Sequence, residues 1–154
     1  MKKKNVRNRN SMNEVSIVYK RPLLDEMPNV KSSIDADEIL KNVIDLDTLD
    51  YKEFFWVLLL NNCNSVLGFA EIGKGDTKGV IVNVKEIFQL TLTSNATSII
   101  LCHNHPSGKL KASISDKNIT SKVKEIAELF SVTLLDHLIL TSESYYSFAD
   151  NGIL

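Results

Sequence analysis

Residues 98–116 read Ser98-Ile-Ile-Leu-Cys102-His103-Asn104-His105-Pro106-Ser-Gly108-Lys-Leu-Lys-Ala112-Ser113-Ile-Ser-Asp116. The stretch opens on a short apolar run of strand length, Ser98 to Cys102. Pro106 and Gly108 then stop the strand and turn the chain. From Asp116 the apolar positions Ile119, Val123, Ile126 and Phe130 recur at spacings of 4, 3 and 4, the period of a helix. The reading is strand, polar turn, helix, with two histidines at the strand end.

Upstream, Ser33-Ile-Asp-Ala-Asp-Glu-Ile-Leu-Lys-Asn-Val-Ile44 offers cap-type residues, early acids and apolar residues three and four apart, so it predicts a helix ending near Asp47. Glu53-Phe-Phe-Trp-Val-Leu-Leu-Leu60 is a continuous apolar run of strand length. Asn61-Asn62 and Asn64-Ser65 supply a turn, and Val66 to Ile72 predicts the hairpin partner. Gly73, Gly75 and Gly79 punctuate a loop, and their G-x-G is no dinucleotide fingerprint because no helix opens directly on it. A third strand is expected around Val80 to Asn83, then a helix from about Val84 to Ala96. Downstream, Leu134-Leu-Asp-His-Leu-Ile-Leu140 predicts a strand, and Tyr145-Tyr146 the start of a final one.

Composition bounds the whole. The chain has 154 residues, 18 Lys+Arg against 19 Asp+Glu, 44% hydrophobic and 24% charged residues, which fits one domain able to bury a core unaided. A net charge of −1 excludes a globally basic nucleic-acid binder and a strongly acidic mimic, while leaving local patches open. Two cysteines, Cys63 and Cys102, are too few for a disulfide framework and match no C-x-x-C pattern; both are expected reduced, in strands. Residues 1–32 read as a basic arm and an extended lead-in, with Lys2, Lys3, Lys4, Arg7 and Arg9 at its start. No apolar h-region follows those charges and no run reaches the roughly 18 apolar residues of a membrane span, so a cytoplasmic location without membrane association is expected.

The chemistry concentrates at the strand end. Side chains alternate along extended chain, so His103 and His105 project to one side and can share a metal ion, while Cys102 faces away. The turn can return Asp116 to the two imidazoles. Two histidines and one carboxylate form the ligand set of catalytic zinc sites, which keep a fourth position for water. Bound zinc lowers the pKa of that water to about 7, which suits hydrolysis of a carbonyl compound. A second reading stands beside this one: the histidines are polar residues of a turn, and Ser113-x-x-Asp116 is a capping box at a helix start. His137, alone within its strand, reads as a hydrogen-bonded core histidine in preference to a third ligand. Trp56, Phe54 and Phe55 read as core.

The string His103-x-His105, seven residues, Ser113, two residues, Asp116 resembles the JAMM signature of the JAB1/MPN metalloproteases. His-Asn-His-Pro-Ser-Gly is similar to the bacterial RadC family. Glu53-Phe before an apolar strand, Lys85-Glu-Ile-Phe, Leu135-Asp-His-Leu-Ile139 and Tyr146-Ser-Phe-Ala-Asp-Asn-Gly-Ile153 extend the likeness over about residues 33–154. The resemblance implies an α/β fold, an α+β mixed sheet flanked by helices, cytidine-deaminase-like as in MPN domains. It implies one zinc ion per chain on His103, His105 and Asp116, and a peptide or protein substrate. It also implies Glu53 as general acid/base, which spacing does not select since Glu71 and Glu86 are equally upstream, and Ser113 as a hydroxyl donor to the developing oxyanion. Where many RadC members have Pro before this serine, the chain has Ala112.

Two other functions compete with a metallopeptidase. One is a DNA-repair-associated accessory protein, for which the basic arm offers only weak, salt-sensitive DNA binding; the helix-hairpin-helix segment of longer RadC relatives is expected to be missing. The other is a scaffold without catalysis, ranked lower because the full ligand set is present. A nucleoside deaminase is disfavoured, since the H-x-E and P-C-x-x-C signature is absent.

Overall fold

The structure is a computed structural model that describes residues 15–76 and 79–154. The basic arm, Met1 to Asn10, and the DNA contact expected of it lie outside the described residues.

Elements follow in the order α1 (Ser33–Lys41), β1 (Phe54–Leu60), β2 (Val66–Lys74), α2 (Val84–Thr93), β3 (Ser98–Asn104), α3 (Ile114–Leu129), β4 (Thr133–Leu140) and β5 (Tyr145–Ser147). The five strands form one mixed sheet in the order β2-β1-β3-β4-β5. Only the β3–β4 pair is parallel, joined by the α3 crossover; the other neighbours run antiparallel. This is the mixed sheet flanked by helices that the family resemblance implies.

β1 and β3 are buried at every position, which is why both read as unbroken apolar runs. Their alternation sorts the core into two layers. Phe54, Trp56, Leu58, Ile100, Cys102 and Leu138 pack beneath Ala36 and Leu40 of α1 on one face. Phe55, Val57, Ile99 and Leu101 pack against Ile87 and Phe88 of α2 and Val123 and Ala127 of α3 on the other. Cys102 thus turns away from the histidines beside it. The lead-in joins the sheet as well: Asn29 bridges Ser65, and Val30 is buried.

Four local expectations need correction. α1 stops at Lys41, short of Asp47, because the Asp45 side chain accepts from the Asp47 N–H and opens a separate 3-10 turn at Leu46–Thr48. α2 ends at Thr93, before Ala96, where Asn95 takes a left-handed φ of 55°. Residues 80–83 form no strand: Gly79 to Ile81 folds back over the end of β2, and Asn83 caps α2. Glycine makes that approach possible, since a Cβ on Gly73 would lie 2.7 Å from the Ile81 carbonyl oxygen. Cys63 is exposed in the β1–β2 turn, with only Cys102 in a strand; both are free thiols. Among the described residues no helix is long and apolar enough to cross a membrane.

Candidate metal centre

β3 delivers the first two side chains. His103 is its penultimate residue and His105 follows immediately, held against the neighbouring strand by a bond from its N–H to the Leu140 carbonyl. Both rings stand on the α3 side of the sheet, with Nε2 atoms 3.0 Å apart. The loop then returns to Ser113, the N-cap of α3, and a capping box forms: the Asp116 N–H donates to Ser113 Oγ (3.1 Å) and the Ser113 N–H to Asp116 Oδ2 (2.7 Å). That box orients the carboxylate toward the imidazoles. Oδ1 lies 3.3 Å from His103 Nε2 and Oδ2 3.5 Å from His105 Nε2. The two readings of Ser113-x-x-Asp116 are therefore compatible, since the cap is the device that aims Asp116.

Edges of 3.0–3.5 Å are what one cation needs, for ligands about 2.0–2.2 Å from a tetrahedral zinc stand about 3.4 Å from one another. One ligand atom from each of His103, His105 and Asp116 lies within 4.8 Å of the others, so this group can hold a metal ion. His105 is oriented for it. Its Nδ1 lies 2.7 Å from the Lys109 carbonyl oxygen, an acceptor only, so Nδ1 carries the proton and Nε2 presents a lone pair. The electrostatics agree: burial pushes Asp116 up, but the neighbouring imidazoles outweigh it and hold the carboxyl far below its ordinary range. Asp116 likewise raises His105 against the effect of burial. Both shifts favour a positive charge among the three groups.

Glu53 approaches from β1. Phe55 pairs with His103 in the sheet and stacks on its ring at 6.0 Å; Glu53, two residues earlier in extended chain, lies on the same face. Burial raises its carboxyl above the usual value, against the opposing pull of His103 and His105. Glu53, His103, His105, Ser113 and Asp116 line one cavity of about 660 Å³, whose walls include Val80, Val82, Ile114 and Ile119. Glu71 and Glu86, the other upstream acids, are not among its lining residues.

Asn104 carries a role the sequence reading missed. It points to the opposite face, fully buried, where its Oδ1 accepts from the Phe54 N–H (2.7 Å) and its Nδ2 donates to the Leu49 (2.7 Å) and Lys52 (2.6 Å) carbonyls. It fixes the chain on both sides of Glu53. The available signal was the alternation itself, which puts the residue between two site histidines on the other side of the strand.

A family model described as the RadC-like JAB domain matches residues 30–153. The chain belongs to this family. This RadC-like JAB domain is 48% identical over 128 residues to a UPF0758 protein of Flavobacterium johnsoniae, covering 83% of this chain and 55% of that protein. It is 36% identical over 137 residues to one from Clostridium perfringens (89% and 60%) and 37% identical over 125 residues to one from Chlorobaculum tepidum (81% and 55%). The chain thus spans little more than half the length of these relatives, and their names state no activity.

Proposed function

We propose that this RadC-like JAB domain is a zinc-dependent peptidase of JAMM type that hydrolyses a peptide or isopeptide bond. One observation carries the reading: His103, His105 and Asp116 converge at metal-ligand spacing in a cavity that Glu53 also lines. Bound zinc supplies Lewis acidity and lowers the pKa of a coordinated water to about 7. Glu53 takes a proton from the attacking water and returns it to the leaving amine, a task suited by a carboxyl whose pKa burial has raised. Ser113 already accepts from the Asp116 N–H, so its own hydroxyl proton is free to donate to the developing oxyanion. Val80, Val82, Ile114 and Ile119 offer apolar contact to the side chains flanking the bond.

The test joins metal analysis to a cleavage screen of peptide and isopeptide libraries. The wild type is expected to hold about one zinc per chain. Glu53→Gln keeps the metal and abolishes hydrolysis, and His103→Ala loses the metal. An unchanged rate in Glu53→Gln removes the assigned base, and tight metal retention in His103→Ala removes the ligand set.

A further inference from the structure

Behind His103 lies a line of hydrogen bonds whose direction can be worked out atom by atom. His103 Nδ1 is 2.8 Å from His137 Nε2, and His137 Nδ1 is 2.6 Å from Thr120 Oγ1. Thr120 Oγ1 is in turn 2.5 Å from the Asp116 carbonyl oxygen, one helical turn back on α3. A carbonyl oxygen only accepts, so the single Thr120 hydroxyl proton goes to Asp116. Thr120 Oγ1 must then accept from His137, which places the His137 proton on Nδ1 and leaves its Nε2 an acceptor. That acceptor takes the Nδ1 proton of His103. His103 Nε2, facing Asp116 and His105, is left with its lone pair for the positive charge, cation or proton, that three acceptors 3.0–3.5 Å apart require between them.

We infer that His137 and Thr120 are positioning residues that lock His103 in the tautomer whose Nε2 lone pair can bind a metal. The inference rests on the metal reading of the site. His137 touches neither His105 nor Asp116 through any hydrogen bond and acts through His103 alone. Its environment favours this: the ring is fully buried, stacked on Phe148 at 4.6 Å and edge-on to Phe55 at 5.6 Å, so it has one orientation. α3 enters the site twice. The Asp116 side chain offers a ligand atom, and the carbonyl of the same residue fixes the direction of the proton chain that prepares another. Ligating histidines generally owe tautomer and ring orientation to such a partner on the second nitrogen, and its loss costs about 10–100-fold in metal affinity.

The experiment reads tautomers first, in metal-free protein with 15N-labelled histidine, by long-range 15N–1H correlation at a pH where the rings are neutral. In the wild type His103 and His137 are both expected to carry their protons on Nδ1. His137→Phe keeps a ring between Phe55 and Phe148 but offers no acceptor, so the His103 proton moves wholly or partly to Nε2. Zinc affinity, measured by competition with a chromophoric chelator, falls about 10–100-fold. His137→Gln, whose amide oxygen can stand near the lost Nε2, restores affinity toward wild type, a rescue that a merely space-filling role would not give. Thr120→Val leaves every ring in place and frees the direction of the chain, giving a mixture of His103 tautomers and an intermediate loss. A wild-type His103 protonated on Nε2 overturns the inference, as does a folded His137→Phe with unchanged tautomer and unchanged affinity. If no variant and no wild type binds zinc, the metal reading falls, while the tautomer spectra still decide the relay.

Discussion

Helices α1 and α3 begin with the same device. Ser32 and Asp35 form a capping box at one, Ser113 and Asp116 at the other, each with reciprocal bonds between cap side chain and third-residue backbone. At α1 the carboxylate bonds locally: Asp35 Oδ2 accepts from the Lys31 and Ser32 N–H groups and the Ser32 hydroxyl. At α3 the same box stands over the end of β3, and Asp116 meets two imidazoles at 3.3 and 3.5 Å. Local sequence makes the cap; only the tertiary position of the cap makes a candidate ligand of it.

The largest expected effect is on metal binding. Asp116→Asn should cost more than the roughly 10–100-fold that loss of an outer partner costs, while Asp35→Asn should leave zinc affinity unchanged. Calorimetric titration of both variants checks this, and equal affinities would erase the distinction between the two caps. Next come the serines. Ser32→Ala and Ser113→Ala should each destabilise by about 0.5–2 kcal/mol in denaturant unfolding, the ordinary cost of a cap. Ser113→Ala alone should also lower kcat, by about 10²–10³-fold as for loss of one oxyanion donor. A full-rate Ser113→Ala reduces that serine to a cap like its counterpart.

A joint loss of stability and rate tests the far side of the site. Asn104→Ala strips partners from the Phe54 N–H and the Leu49 and Lys52 carbonyls, and each buried group left unsatisfied costs about 1–3 kcal/mol. Stability and kcat should fall together because Glu53 loses its anchorage, while zinc affinity stays near wild type. Metal loss equal to that of Asp116→Asn would place Asn104 among the ligands' supports instead.

How much of this was legible in the residues varies with the range of the interaction. The strands β1 and β3 follow from their apolar runs, and the i and i+2 histidine pair and the turn of Cys102 into the opposite core layer follow from alternation within one segment; the structure has them all. The strand expected at residues 80–83 failed because apolar content near Val80 and Val82 serves a cavity wall and not a ladder. Glu53 was not separable from Glu71 and Glu86 by spacing, since what distinguishes it is the β1–β3 register, a pairing between segments some fifty residues apart. His137 is the buried, hydrogen-bonded histidine its strand position predicts, but its partners His103 and Thr120, like the whole role of Asn104, were invisible for the same reason: only the folded sheet brings those groups near.

The smallest effect separates the caps by pH. Asp35 is held below the ordinary carboxylate value, first by the Lys31 N–H and then by the Ser32 hydroxyl. A carboxyl whose folded pKa is depressed adds stability that is present above its unfolded value, near 3.9, and lost as pH falls through the folded value. Wild type should therefore exceed Asp35→Asn in stability at neutral pH, and the two unfolding curves should converge under increasingly acid conditions. The difference should also shrink with added salt, since the group is exposed. Zinc should leave the Asp35→Asn difference untouched at every pH, because nothing at α1 reaches the metal group. A zinc-dependent change in that difference would mean that the two helix starts are coupled across the sheet, contrary to the separation of a local cap from one aimed into a site.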